Sequence, residues 1–292
     1  MSTPNRADYK AGILFITASA FCFALMNLFI RLAGDVPTLQ KCFFRNAVAL
    51  MIAAASLIRS KAPLRPKPGN LKYLLARSIA GGTGMVLHFY AVDHMAISDA
   101  SMLNKLSPFF AIIFSGILLH ERANRFEWGA VCVAMCGAML VVKPTFSAEM
   151  LPALAGFCGG LGAGLAYANV RILGVRGENS MLIVTFFSGF TCAMLLPGML
   201  FNYSPMTGEQ WMFLILTGAA AAGGQIFITK AYSKAPAKDI SVFDFSIVIF
   251  AALLGFCFLG QVPDWLSVLG YVIIIGTAVM KYALLRGRKE KN

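Results

Sequence analysis

Apolar residues run along this chain in blocks of roughly twenty separated by short polar connections, about the length of helix needed to cross a hydrocarbon core ~30 Å thick. Hydropathy places these blocks at 12–33, 40–58, 72–92, 98–119, 125–142, 151–173, 181–200, 210–233, 239–259 and 265–285. Each predicts a spanning helix, because a segment in lipid satisfies its own backbone only through helical hydrogen bonds. The pattern therefore predicts an all-α polytopic membrane protein with ten transmembrane helices. No stretch remains for a soluble domain. The polar start, Met1 to Lys10, leads into a block without a small-residue cleavage site, which reads as a retained first span rather than a signal peptide.

Composition agrees with the pattern: 58% of the 292 residues are hydrophobic and 13% charged, against about 25% charged in soluble domains. The net charge of +12 could suggest a nucleic-acid partner, but its distribution excludes that reading. Arg59, Lys61, Arg65, Lys67, Arg122, Arg176, Lys234, Lys238, Arg286 and Lys289 fall on one side of the predicted membrane, with Arg6 and Lys10. Only Lys41 and Lys143 fall on the other. Positive charge collects on the cytoplasmic side, so the N- and C-termini are expected there and the span count must be even. The seven cysteines sit in or beside apolar blocks, and buried free thiols are expected of them.

Laid over itself with a shift of 140, the chain matches Asp99 with Asp239, Ser101 with Ser241 and Ala111 with Ala251; a shift of 142 matches Asn27 with Asn169. The spans pair one to six, two to seven and onward, so residues 1–147 and 148–292 are expected to be two related five-helix halves. Five is odd, so one half starts inside and the other outside. An inverted repeat of this kind is a recurrent carrier architecture, because exchanging the two halves' conformations turns an inward-open state into an outward-open one.

The halves carry comparable fourth-span patterns, from Pro108 to Glu121 and from Ser246 to Gln261, and span two contains Phe43-Phe44-Arg45-Asn46. With these, nearly the whole chain resembles the drug/metabolite transporter superfamily, in its ten-helix EamA-type branch. The resemblance implies a central cavity formed by spans one to four and six to nine. It also implies that spans five and ten are peripheral, where two copies could form a homodimer. Substrate is not implied, since that superfamily moves amino acids, nucleotide-linked sugars, vitamins, organic anions and drugs. The chain departs from the family at Gln261, where Glu is usual, and at Lys105, where a small or apolar residue is usual.

Ionisable side chains at membrane depth are costly and mark functional positions. Arg31, Arg77 and Lys281 lie near span ends and are expected to snorkel to water. In span four, Ser101, Asn104, Lys105 and Pro108 recur at the spacing of one helical face, a polar stripe expected to face a water-filled cavity. Counting from the span ends puts Lys105, Arg45, His88 and the somewhat deeper Asn27 in the outer half, and Asp244 with Lys230 in the inner half. A Lys230–Asp244 pair and a net-positive outer cluster follow, unless the loop acids Asp35, Asp93 or Asp99 fold in. Tyr90, Asn169 and Gln225 complete the expected substrate-binding set.

An uncompensated buried cation is expensive, so the outer cluster predicts a substrate with a carboxylate or phosphate, held by Arg45 or Lys105. The expectation is a secondary transporter of a small anionic or zwitterionic metabolite, an amino acid or organic acid, in the cell inner membrane. The alternatives are an exporter of organic cations or lipophilic drugs using Asp244 and aromatics, and a channel-like pore. Proton coupling through His88 or Asp244 remains open. No cofactor, metal or catalytic constellation is expected, since His88, His94 and His120 are dispersed.

Overall fold

The computed structural model describes residues 6–60, 63, 65–119, 125–142, 150–234 and 241–289. Helices α1 (Arg6–Leu32), α2 (Thr38–Arg59), α3 (Leu71–His94), α4 (Ile97–Asn104), α5 (Ser107–Leu119) and α6 (Arg125–Val142) form the first part. Helices α7 (Met150–Val175), α8 (Ser180–Phe201), α9 (Gly208–Lys234), a 3-10 turn (Ser241–Phe245), α10 (Ser246–Leu259) and α11 (Trp265–Lys289) form the second. The described residues contain no strand. Among the described residues six segments are long and apolar enough to cross a membrane: Lys10–Leu32, Thr38–Arg59, Ile97–Leu118, Met150–Gly174, Met181–Phe201 and Gly208–Ile228.

The fourth block is not the single helix that its hydropathy suggests. It stops at Asn104, turns at Lys105–Leu106 and restarts at Ser107. Proline accounts for the break, since Pro108 has no N–H for the Asn104 carbonyl and its ring is tolerated in a first turn but not mid-helix. The polar stripe therefore ends at a helix terminus rather than continuing along one face. In the second part the 3-10 turn gives way to α10 at Phe245–Ser246. Positions 105 and 245 are mates under the 140-residue shift, so both parts change winding at the same place.

The packing scheme has the same symmetry. Helix α3 lies on α7 as α9 lies on α1, and α5 lies on α7 as α10 lies on α1. The pairs α2–α8 and α6–α11 join each helix to its own mate, and α4 packs on α10. Lipid supplies no hydrophobic drive between helices, so close approach depends on small residues. A Cβ on Gly84 would stand 2.9 Å from the Gly159 carbonyl, and one on Gly159 would stand 2.9 Å from the Gly84 carbonyl. Gly137 and Gly270 bring α6 against α11 in the same way.

Large apolar side chains on the outside, such as Met51 at 64% and Val272 at 63% exposure, are what a lipid-facing surface requires. The cysteines correct an expectation. All seven are free, but Cys42 alone is buried; Cys132, Cys136, Cys158 and Cys257 are exposed on that apolar surface.

At the turn between α7 and α8, Glu178 accepts hydrogen bonds from Asn70 Nδ2 (2.8 Å), Lys67 N (3.0 Å) and Asn179 N (3.2 Å). Burial by itself would raise its carboxyl, yet these three donors hold it below the ordinary carboxylate value. A lowered folded-state value contributes stability at neutral pH that is lost as pH falls through it. Glu178→Gln should therefore lower the thermal midpoint at pH 7, with the gap closing as pH falls below about 4.5. Melting curves of both proteins across that range check this.

Candidate functional site

The bundle end that carries Gly34 is stitched by side chains. Lys41 Nζ donates to Asp93 Oδ1 at 2.6 Å and Thr38 Oγ1 to Asp93 Oδ2 at 3.3 Å. Arg31 Nη1 donates to the Val92 carbonyl at 3.0 Å. Gln40 both donates to the Ser204 carbonyl and accepts from the Ser204 N–H. Gln261 Oε1 accepts from the free Ile97 N–H that opens α4, at 3.1 Å. A cleft of about 480 Å³, lined by Arg31, Asp35, Thr38, Asp93 and His94, lies at this end. Tyr90 belongs here, its ring stacked on His94 with centroids 4.2 Å apart. Asp93 thus serves Lys41, and Asp99 receives the Tyr271 hydroxyl; neither reaches Arg45 or Lys105 in the way the loop-acid alternative required.

Deeper in, Asn27 Nδ2 donates to Ser101 Oγ at 3.0 Å, and the Ser101 hydroxyl donates in turn to the Ile97 carbonyl at 2.6 Å. Beside them Lys105 Nζ forms an ion pair with Asp244 Oδ2. This corrects one expectation, the separation of Lys105 and Asp244 in depth. A Cβ on Gly255 would stand 3.3 Å from Ile97 Cγ1, so Ile97 faces Gly255 across the antiparallel α4–α10 contact. Lys105 is then level with residue 247, and the remaining three residues rise about 4.5 Å, within a lysine's reach. Depth counted from hydropathy edges misses this because it assumes that both spans start at the surface. The Lys230 side chain lies outside the described residues.

Among the described residues Arg45 has no carboxylate partner. Its Nη1 donates to Asn46 Oδ1 at 3.0 Å, and Asn46 is held in turn by its Nδ2 bond to the Cys42 carbonyl at 2.8 Å. Arg45 Nε is buried without a partner, as are Asn27 Oδ1, His88 Nδ1 and Asp244 Oδ1 among the described residues. His88 is buried and lies in the field of both Lys105 and Arg45. Asn169, the repeat mate of Asn27, turns back to its own Leu165 carbonyl at 2.9 Å. Asn104 is half-buried at the end of α4, and Gln225 half-buried in α9.

Arg77 departs most from expectation. It does not snorkel: its guanidinium lies over the Phe187 ring, 3.6 Å from the centroid. A Cβ on Gly81, one turn further along α3, would stand 3.3 Å from Arg77 Nη1. A helical side chain ordinarily leans toward the helix N-terminus, and this one reaches the other way. Both Nε and Nη1 are buried without partners among the described residues. The signal in the sequence was Gly81 at i+4 from Arg77, which clears space for a guanidinium on that face.

These features define a multi-pass membrane transporter: an all-helical bundle with a lipid-compatible exterior, a repeated packing scheme and cations at its centre. The EamA-like transporter family model matches the chain twice, at residues 10–143 and 150–282, and the chain belongs to that family. It is 30% identical to a pseudopaline exporter of Pseudomonas aeruginosa, over 96% of this chain and 98% of that protein. It is 27% identical to human solute carrier family 35 member G1, over 93% of this chain and 80% of that one. It is 24% identical to a riboflavin transporter of Vibrio cholerae, over 96% of each. A protein of known crystal structure shares the fold with a TM-score of 0.65 at 16% identity, covering 97% of this chain and 99% of that chain.

Proposed function

We propose that this chain is a secondary carrier of a small anionic or zwitterionic metabolite, an amino acid or organic acid, working by alternating access. Ten spans in two inverted five-helix halves, 1–147 and 148–292, form the carrier in a cell inner membrane, with both termini and the Gly177 turn on the cytoplasmic side. The observation that carries the substrate class is the pair Arg45 and Arg77. Both residues are half-buried with buried nitrogen donors that lack partners, and neither has a carboxylate partner among the described residues. Guanidinium groups in that condition are completed by an anion, which they bind in two-pronged fashion. Lys105 and Asp244 add a cation and an anion side by side, complementary to the carboxylate and ammonium of a zwitterion. Arg45, Lys105, Asp244, Asn27, Ser101 and His88 form the core of the binding set, with Asn104, Asn169, Gln225 and Lys230 around it and Tyr90 at the mouth.

The reading is tested by the thermal stability of purified protein against a panel of amino acids, organic acids and organic cations. A ligand at one hundred times its dissociation constant stabilises by about 2.7 kcal/mol. Acids and amino acids should raise the midpoint; shifts confined to organic cations would contradict the assignment.

The Lys105–Asp244 pair gives a sharper check of its own. Removing one partner strands a charge in low dielectric, whereas removing both does not. Lys105→Met and Asp244→Asn should each cost more stability than the double variant, so a double-mutant cycle should return strong coupling. Additive single effects would mean that the pair carries no interaction.

A further inference from the structure

We infer that the site selects substrates with two anionic groups, one read by Arg45 and the other by Arg77. The inference rests on the anion-carrier reading and narrows it.

The two arginines stand at different levels of one interior face. Helices α2 and α8 run antiparallel, as Leu39 beside Gly198 and Leu50 beside Gly189 establish. Cys192 of α8 bonds the Phe43 carbonyl, which in this antiparallel register sets Arg45, two residues on, level with about residue 190. The Arg77 guanidinium rests on Phe187 of the same helix. Three residues of α8 separate these levels, about 4.5 Å at 1.5 Å per residue.

A single carboxylate bound at one arginine leaves the other with buried, unsatisfied N–H donors. A short chain with an anionic group at each end satisfies both. The second cation is held where a structural role would not put it. A snorkelling arginine would lie toward Asn70 and water, but Arg77 reaches one turn deeper, into the space that Gly81 leaves open. Lys105 does not serve as the second station, because Asp244 already neutralises it. The Phe187 face fixes the plane of the Arg77 guanidinium and leaves its Nε and Nη1 N–H donors, which point from different edges, without partners among the described residues.

The test is a binding series by calorimetry on the purified full chain, with linear dicarboxylates from succinate to suberate against monocarboxylates of matching length. The wild type should bind the best dicarboxylate about tenfold or more tighter than its monocarboxylate counterpart, the effect of one added charge-assisted pair. In Arg77→Gln that ratio should fall to near one, and Arg77→Lys should recover part of it. Equal binding of mono- and dicarboxylates by the wild type, or an unchanged ratio in Arg77→Gln, overturns the inference. Binding of no carboxylate at all, with organic cations bound instead, overturns the anion-carrier reading itself.

Discussion

Replacing Arg45 with glutamine is expected to reduce uptake of an anionic substrate by about a hundredfold, the loss that follows when a charged hydrogen-bonding partner is removed from a desolvated site. Glutamine keeps a polar side chain of comparable reach, so the fold should survive. Asn46 still has its bond to the Cys42 carbonyl, and Cys42 stays buried in the main core. The loss should appear in transport and in binding together, because the guanidinium contacts the substrate rather than a distant gate. Arg45→Lys should recover only part, since an ammonium is a point charge and cannot form the two-pronged pair. Transport in liposomes containing equal amounts of folded wild-type and variant protein measures this. Unchanged uptake in Arg45→Gln would remove Arg45 from the site.

The second large effect is structural. Gly84→Leu should prevent accumulation of folded protein. A Cβ there meets the Gly159 carbonyl at 2.9 Å, the Ala163 nitrogen at 3.2 Å and the Gly162 carbonyl carbon at 3.2 Å. All three are backbone atoms that cannot rotate away, so α3 and α7 would have to part, and overpacking of this kind typically costs 1–3 kcal/mol or more. The contrast is Gly129→Leu in α6, where a Cβ would meet nothing within 4 Å. Fluorescence-detected gel filtration of the two variants should give a lost monodisperse peak for the first and a retained one for the second. Equal yields would mean that the α3–α7 contact tolerates a side chain.

The fold was largely legible because lipid imposes a simple rule on sequence: backbone satisfied within each helix and an apolar exterior. Helices α1, α2, α7, α8 and α9 begin and end within a few residues of the apolar blocks for that reason. The break at Lys105–Leu106 was legible as Pro108 but lost in averaging hydropathy over the whole block. Pairing within the site was less accessible. Lys105 and Asp244 meet because Ile97 faces Gly255, a register between helices that no single-helix pattern encodes. Lys41 looked like a loop cation, yet it is buried because Asp93, at the end of α3, meets it across the α2–α3 contact. Arg77 was misjudged for a related reason. Nearness to a span end suggests snorkelling, and only the pairing of α3 with α7 and α8 reveals that water lies one way and the guanidinium the other.

The central claim is that the buried arginines serve a carried anion. It is met most directly by counterflow in liposomes. Liposomes holding the purified chain are loaded with unlabelled dicarboxylate or amino acid, and accumulation inside of the labelled compound added outside is followed. The account predicts accumulation that depends on the internal load and is abolished in the Arg45→Gln, Arg77→Gln double variant. Accumulation undiminished in that double variant would contradict it.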